Sequence, residues 1–482
     1  MLLSDRGGID LLKKYKEMNV QAKASIWFLI CSLSQRGISF LTAPLFTRIL
    51  STEEYGIYSL YLSWSQILTI ITTLYLSAGT FTNAMNKYKN ARREYLSSIQ
   101  GIPITITFIC LVIYLCNKSL WQNILGLDNK YVILLFIELF FAPAFTFWAG
   151  FQRFTYHYKT LVFVTLAQCL LNPLIGFIGV YTLQDRALGR IIGGVIASSV
   201  FGLFFLILNY CKGKVFFYKE YWIYSLKMAF PLLPHYLSGV ILNQGDRVVI
   251  SKMCTNADVA LYSVAYTLGM LVQIVTNSIG NAISPWIYEQ MNEGNYKVIK
   301  KKINFVLILF ALVAFLLMLV SPELIIIFGK EKYADAVYVI PPVAASTFFV
   351  YLYSVMSILQ FYYEKTGFMM IASVCAAVIN ILLNVIFVPK YGFVVAGYTT
   401  LVCYMMYCVG HHIMSCYIAN KYNKGNRIYD IKFIFTLSIA IVCGCVYSTV
   451  LMDCTIVRYL TVAFVMTVLY IKKELIFNLL QE

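Results

Sequence analysis

Repeated apolar stretches of about twenty residues each dominate this 482-residue chain. A helix of that length crosses the ~30 Å hydrocarbon layer of a membrane. The chain is 60% hydrophobic and only 12% charged, which is more apolar surface than a single water-soluble core can hide. The sequence therefore predicts an all-α polytopic membrane protein.

The pattern predicts about fourteen transmembrane helices. Seven lie in the first half of the chain, at Ala24–Phe46, Tyr58–Ala78, Leu96–Cys116, Tyr131–Phe151, Thr160–Thr182, Leu188–Tyr210 and Met228–Ile250. The others follow at Ala260–Ile283, Ile303–Val320, Val337–Leu359, Phe368–Val388, Phe393–Ile413, Phe433–Leu451 and Ile456–Ile471. Charged residues rather than a short apolar run with a cleavage site begin the chain, so no removable signal peptide is expected.

Lysine and arginine are distributed unevenly between alternate loops, and cytoplasmic loops are the ones normally enriched in them. Placing the N-terminus inside assigns most of the 38 lysines and arginines to the cytoplasmic side. This predicts a multi-pass protein of the bacterial cytoplasmic (inner) membrane with both termini in the cytoplasm. The formal net charge of +16 then lies mainly beside anionic headgroups, which favours membrane lipids as partners and not nucleic acid.

Several kinds of enzyme are disfavoured by what the sequence lacks. The thirteen cysteines stand mostly singly in apolar stretches, a pattern that predicts neither a metal site nor a disulfide framework. No GxxxxGK[ST] loop occurs, so ATP hydrolysis is not expected. The predicted outward loops are too short to form an extracytoplasmic catalytic domain. We therefore expect a transporter with no catalytic residues, no metal and no bound cofactor.

An internal repeat organises the chain. Thr47–Tyr61 aligns without gaps with Ser251–Ala265, at a spacing of roughly 200 residues. Two shorter echoes follow in order, pairing Ile124-Leu125-Gly126 with Ile327-Phe328-Gly329, and Leu171-Asn172 with Leu383-Asn384. Six predicted helices separate the copies, so the halves are parallel repeats. We expect two six-helix lobes around a central cavity, at residues 1–215 and 216–420, and two extra C-terminal helices at 421–482.

Three strings carry a resemblance to a known family. They are FTRILSTEEYGIYSL after the first predicted helix, PLLPHYLSGVILNQGDRVVISKM in the seventh, and NILLNVIFVPKYGFVVAGY joining the eleventh to the twelfth. With them the chain resembles the Wzx-type polysaccharide repeat-unit flippases of the multidrug/oligosaccharidyl-lipid/polysaccharide exporter superfamily. Ala260 departs from the pattern, which has glycine there, as the first half has at Gly56.

The resemblance implies a substrate and a mechanism. Such a flippase carries an undecaprenyl-pyrophosphate-linked oligosaccharide for capsule, O-antigen of lipopolysaccharide or a related surface polysaccharide. It moves this lipid-linked glycan from the cytoplasmic to the outer leaflet by alternating access. A glycan polymerase and a chain-length regulator are candidate partners. A cation-coupled multidrug exporter of the same superfamily is the alternative, although a site for cationic drugs should be rich in carboxylates.

Charged and polar residues inside the predicted helices are the candidate site, because each intramembrane charge costs at least ~2.5–3.5 kcal/mol without a partner or a cavity. Arg36 lies deepest, beside Gln35, and its planar fork suits phosphate oxygens. The alternative for Arg36 is a buried ion pair with Glu138.

Five residues complete the candidate site. Arg190 and Arg247 lie nearer the outer surface and either line the cationic cavity or reach the headgroups. Glu138, Asp246 and His235 are candidates for proton or sodium coupling, or for structural pairing within the helix bundle.

Overall fold

The computed structural model describes residue 15 and residues 17–474, and this part of the chain contains only helices. The first ten are α1 Val20–Ile49, α2 Thr52–Thr73, α3 Gly79–Lys87, α4 Arg92–Ile99, α5 Gly101–Cys116, α6 Lys118–Leu125, α7 Asn129–Phe154, α8 Tyr158–Thr182, α9 Arg186–Gly213 and α10 Lys219–Ala229. They are followed by α11 Leu233–Met253, α12 Asn256–Gly269, α13 Leu271–Asn292, α14 Tyr296–Leu319, α15 Ser321–Gly329, a 3-10 helix Glu331–Val339, α16 Ile340–Tyr362, α17 Gly367–Tyr391, α18 Val395–Tyr422, α19 Ile431–Val450 and α20 Thr455–Ile471. The predicted all-α fold is confirmed.

Ten helical segments of the described chain are long and apolar enough to cross a membrane. They are Val20–Ile49, Arg92–Cys116, Asn129–Phe154, Tyr158–Thr182, Arg186–Gly213, Tyr296–Leu319, Glu331–Tyr362, Gly367–Tyr391, Val395–Tyr422 and Ile431–Val450. The other four predicted spans also fall on helices. Two of them, on α2 and α11, are not apolar enough to be among the ten. The span on α12 and α13 is interrupted at Met270, and α20 has only 17 residues. The count of fourteen spans stays a prediction.

The chain divides into two compact units. Unit 1 contains the chain up to Leu50 and Trp64–Leu233, and unit 2 contains Ser51–Ser63 and the chain from Pro234 onward. The predicted domain boundaries at 215/216 and 420/421 and the arrangement of lobes around a cavity stay predictions.

Unit 1 is organised by a close crossing of α8 and α9. A side-chain carbon at Gly189 would lie 2.3 Å from the carbonyl oxygen of Gly179, and one at Gly193 would lie 2.2 Å from the amide nitrogen of Gly176. Only glycine permits two helix backbones to approach so closely, and small residues play this role in membrane helix pairs. These contacts hold the N-terminal half of α9 against α8.

Unit 2 is built around α16, most of whose side chains are buried. Phe348, Leu352, Val355 and Leu359 belong to one continuous apolar core that also takes in side chains of α14 and α18. A helix apolar on all sides is expected at the centre of a helical bundle. This helix positions the cleft described below.

The two segments of the first predicted repeat fold alike where their helices start. Ser51 and Glu54 exchange backbone-to-side-chain hydrogen bonds of 2.7 and 3.1 Å, and Thr255 and Asp258 exchange the same bonds at 3.0 and 3.2 Å. Each pair is a capping box, which satisfies two amide groups at the helix start.

Gly56 has a steric role that its aligned partner Ala260 does not share. A side-chain carbon at Gly56 would lie 1.7 Å from the carbonyl oxygen of Asn256, so this position admits only glycine. Glu53 adds hydrogen bonds to the Asn256 side chain at 2.8 Å and to the Ala257 amide at 3.1 Å. These contacts explain why residues 51–63 belong to unit 2.

Candidate functional site

The predicted site residues are shared between the two units. Gln35, Arg36, Glu138 and Arg190 lie in unit 1, and His235, Asp246 and Arg247 lie in unit 2 on one helix, α11. Their assignment to substrate binding or coupling stays a prediction, and the contacts of each side chain follow.

Arg36 lies in the middle of α1, which packs on α8. The backbone carbonyl of Gln35, itself half-buried, faces the Cys169 sulfur at 3.9 Å, so this turn of α1 meets α8. The Arg36 side chain is exposed, and no residue in the described chain hydrogen-bonds or pairs with it. An ion pair between Arg36 and Glu138 is not among the contacts given by the described residues, and the role of Arg36 stays a prediction.

Glu138 is held by hydroxyl groups from neighbouring helices. Ser65 on α2 donates to one carboxylate oxygen at 3.2 Å, and Ser198 on α9 lies 3.5 Å from the other. The side chain is half-buried. Hydroxyl groups from two helices therefore contact the Glu138 carboxylate.

Arg190 is a packed residue of unit 1, only 7% exposed. Its Nη1 donates to the Asn172 side chain at 2.8 Å, and its guanidinium lies 4.2 Å from the ring centre of Phe46. Gly176 leaves space for the Arg190 guanidinium, because a side-chain carbon at position 176 would lie 2.9 Å from Nη1. Helices α1, α8 and α9 thus enclose Arg190, and its aliphatic part does not extend along an open surface.

Asp246 is completely buried and accepts hydrogen bonds from three other helices of unit 2. Asn384 on α17 donates to Oδ1 at 2.6 Å, Thr400 on α18 donates to Oδ2 at 2.9 Å, and Tyr262 on α12 donates a short hydrogen bond to Oδ2. A carboxylate accepts hydrogen bonds and donates none, and each of these three neighbours donates one to it.

A second layer of polar groups orients those donors. Thr399 donates to the Asn384 side-chain oxygen at 2.5 Å, and Asn380 donates to the Thr400 hydroxyl at 3.3 Å. All of these side chains are buried. The result is a polar cluster rich in oxygen atoms, chemically able to hold a proton or a small monovalent cation.

Arg247 follows Asp246 directly and contacts the ring of Tyr262, one of the residues that bond Asp246, with 5.6 Å between its guanidinium and the ring centre. Its Nε donates to Ser263 at 3.0 Å, its Nη1 donates to the carbonyl oxygen of Asn243 at 2.7 Å, and its guanidinium lies 4.6 Å from the ring centre of Tyr266. Nη2 makes no hydrogen bond with a described residue. One face of this buried cation is therefore still able to donate.

His235 lies near the start of α11 and is half-buried. Its Nδ1 is 3.0 Å from the Ser373 hydroxyl on α17. In the described chain, His, Cys, Asp and Glu side chains form no group of three or more that would hold a metal ion.

The sequence reasoning missed the partners of Asp246. Asn380 and Asn384 lie within one string quoted for the family resemblance, and Thr400 follows that string by two residues, but none of the three was given a role. A usable signal was present, because Asn380 and Asn384 are four residues apart and so share one face of an otherwise apolar helix. Two amides on one face of a membrane helix indicate a buried polar partner.

Comparisons of sequence identify the family. The polysaccharide biosynthesis protein family matches residues 22–291, more than half of the chain, and the MatE family matches residues 231–386. The Lsg locus protein 1 of Haemophilus influenzae is 24% identical over 378 residues, covering 74% of this chain and 89% of that protein. An uncharacterised membrane protein of the same organism is 21% identical over 57% of this chain.

Comparisons of structure identify the fold. The lipid II flippase MurJ in its inward closed conformation has a TM-score of 0.65 at 16% identity, over 94% of this chain and 100% of that one. An inward-facing multidrug resistance transporter of the MATE family has a TM-score of 0.61 at 15% identity, over 81% of this chain and 96% of that one. Both relatives are membrane transporters. This chain therefore belongs to the polysaccharide biosynthesis protein family and shares the fold of these two transporters.

Proposed function

We propose that the protein is a flippase that carries undecaprenyl-pyrophosphate-linked oligosaccharide repeat units from the cytoplasmic to the outer leaflet of the bacterial inner membrane. Its glycan would serve capsule, O-antigen or a related surface polysaccharide. Family membership supports the class of substrate. The observation that carries the proposal is Arg36, an exposed arginine in the middle of a candidate membrane span that pairs with no described residue.

An unpaired arginine at this depth is unfavourable by at least ~2.5–3.5 kcal/mol unless a cavity or ligand compensates. The planar guanidinium can donate two parallel hydrogen bonds to phosphate oxygens, so a pyrophosphate supplies that compensation. Arg247 offers its free Nη2 donor to the same class of ligand. Arg190 is enclosed by Asn172 and Phe46, and we assign it to packing within unit 1 first and to substrate second.

Transport by this protein would follow alternating access between two helical lobes, with both termini on the cytoplasmic side. Asp246 is the candidate for coupling, because its buried oxygen-rich surroundings suit either a proton or a sodium ion. Glu138 and His235 are secondary candidates, each held by hydroxyl groups. A glycan polymerase and a chain-length regulator are the partners we propose downstream.

A cation-coupled multidrug exporter is the second candidate, because the MatE family matches residues 231–386. A drug exporter for cations requires carboxylates facing its substrate. Asp246 is fully buried by its own hydrogen-bond donors, and the exposed intramembrane charge is the cation Arg36. These charges favour an anionic substrate.

The test is accumulation of lipid-linked oligosaccharide in cells depleted of this protein, with the leaflet probed by an impermeant reagent. We expect trapped intermediates on the cytoplasmic side, restored by the intact gene and by Arg36→Lys more than by Arg36→Ala. Lys23→Ala is the matched control, since it removes a cation near the start of the same helix. Full restoration by Arg36→Ala would show that transport does not require Arg36. Unchanged surface glycan with altered drug resistance would instead support the exporter.

A further inference from the structure

A cleft of about 280 Å³ opens in unit 2 between α13 and α16. It is close in size to the smaller pockets that bind small organic ligands, which start at ~300 Å³. None of the predicted site residues lines it. The chemistry of its walls therefore calls for a separate explanation.

The cleft is polar but uncharged, with no acidic or basic residue among the described side chains that line it. Four of its hydroxyl groups donate to carbonyl oxygens of their own helix: Thr276 at 2.9 Å, Ser284 at 2.9 Å, Ser354 at 2.6 Å and Ser357 at 2.7 Å. A hydroxyl that has used its hydrogen can still accept through its oxygen. The walls therefore present acceptors to whatever enters.

Tyr351 adds a polar atom that lacks a partner. The residue is only 3% exposed, and its ring is fixed edge-on against Phe310 at 4.3 Å between centres. Tyr351 lines the cleft, and its buried hydroxyl has no hydrogen-bond partner in the described chain. Buried hydroxyls are almost always hydrogen-bonded, so an orphan beside a cleft indicates a ligand or water that satisfies it.

Aromatic rings supply a further part of the surface, beside aliphatic side chains and the amide of Gln273. Tyr288, Tyr353 and Phe361 line the same cleft. Rings of this kind pack against the C–H faces of a sugar ring, while the sugar hydroxyls reach neighbouring acceptors. A cleft that combines aromatic faces with hydroxyl acceptors therefore matches the two surfaces of a carbohydrate.

We propose that this cleft is a subsite for a neutral sugar residue of the lipid-linked glycan, an inference that rests on the proposed flippase function. A sugar is rich in hydroxyl donors, which the acceptors on the walls can bind. A phosphate offers only acceptors and would need cations that the cleft does not contain. A cationic drug would need a carboxylate, and none lines the cleft.

Two variants test the subsite separately. A side-chain carbon at Gly280 would meet only Tyr351, at 3.8 Å, so the backbone tolerates a substitution there while a leucine fills the cleft. Tyr351→Phe removes the orphan hydroxyl alone. The matched control is Tyr333→Phe, because Tyr333 is equally buried and also has an unpartnered hydroxyl, but it does not line the cleft.

The measurement is native mass spectrometry of the full-length protein with two probes, the lipid-linked repeat unit extracted from the host membranes and undecaprenyl pyrophosphate without a glycan. We expect wild type and Tyr333→Phe to prefer the glycosylated lipid. Gly280→Leu should lower that preference about tenfold or more, and Tyr351→Phe should lower it about fivefold.

The outcomes separate the two proposals. Binding of the glycan-free lipid should be unchanged in every variant, which also shows that the variants are folded. Wild-type preference for the glycosylated lipid in both Gly280→Leu and Tyr351→Phe overturns the sugar subsite and leaves the flippase intact. If the wild-type protein binds neither lipid, the proposed function itself fails.

Discussion

Arg458 binds the last helix of the described chain to the rest of unit 2, and the loss of stability on replacing it can be calculated from its hydrogen bonds. Arg458 is 2% exposed and is the buried residue of α20, whose other side chains are largely exposed. Its Nη1 and Nη2 donate to the two carboxylate oxygens of Glu323, both at 3.0 Å, and Nη1 also donates to the Leu319 carbonyl at 2.6 Å.

The magnitude follows from these bonds. Hydrogen bonds to charged groups contribute ~1.5–3 kcal/mol each, so the bidentate pair alone would contribute ~3–6 kcal/mol if it were fully buried. The Glu323 side chain is one-third exposed, and water replaces part of the interaction once Arg458 is gone. We therefore expect Arg458→Met to lower the free energy of detaching α20 by ~2–3 kcal/mol.

Hydrogen–deuterium exchange of the full-length protein measures this effect locally. Amides of α20 should exchange ~30- to 150-fold faster in Arg458→Met, while amides of α16 keep their rate. Tyr459→Phe removes one exposed hydrogen bond to Glu323, of 2.9 Å, and should accelerate exchange much less. Equal exchange of α20 in wild type and Arg458→Met would refute the assignment of Arg458 as the anchor.

Three further predictions concern other contacts. Gly189→Ala should destabilise unit 1 by ~1–3 kcal/mol through the clash with Gly179, whereas Gly194→Ala, whose added carbon would lie 3.6 Å from the nearest atom, should change the thermal midpoint little. Burial raises the pKa of Asp185, but hydrogen bonds from Lys130, the Leu188 amide and Tyr131 outweigh it and lower this pKa below its usual range. The pKa of Asp185 is lower in the folded than in the unfolded protein, so its contribution to stability is present above about pH 4 and declines as the pH falls below it. In Lys130→Met, the free energy of unfolding should depend less steeply on pH during an acid titration. Asn384→Leu should lower the thermal midpoint, because Asp246 and Thr399 each lose a partner in a fully buried site, and an unchanged midpoint would contradict that account.

Hydropathy was sufficient to predict the ten long apolar helices, because a lipid environment allows few alternatives to a spanning helix. It was not sufficient for helices that carry buried polar groups. Helix α11 holds Asp246, Arg247 and Asn243 together, and its mean hydropathy therefore does not reveal whether it spans the membrane. Side chains from other helices form hydrogen bonds with these groups, and hydropathy alone does not identify such partners.

The same limit applies to the candidate site. The sequence selected Asp246 and Arg247 as intramembrane charges, but it could not show that Asp246 bonds to Tyr262, Asn384 and Thr400 rather than to a cation. It also gave Glu138 as the alternative partner of Arg36, and long-range pairs of this kind depend on helix packing that no local pattern encodes. The third echo of the repeat had a physical basis that only the structure reveals: Asn172 bonds Arg190, and the aligned Asn384 bonds Asp246.

The enclosure of Arg190 has a consequence for how the chain is made. During synthesis, α1 with Phe46 and α8 with Asn172 leave the ribosome before α9, so these two partners of the arginine are already in the membrane when its helix arrives. Delivery of α9 as a hairpin with α8 then spares Arg190 a period alone in lipid. A circularly permuted chain that begins at α9 would reverse this order, and its first helix would have to enter the bilayer with an unaccompanied charge.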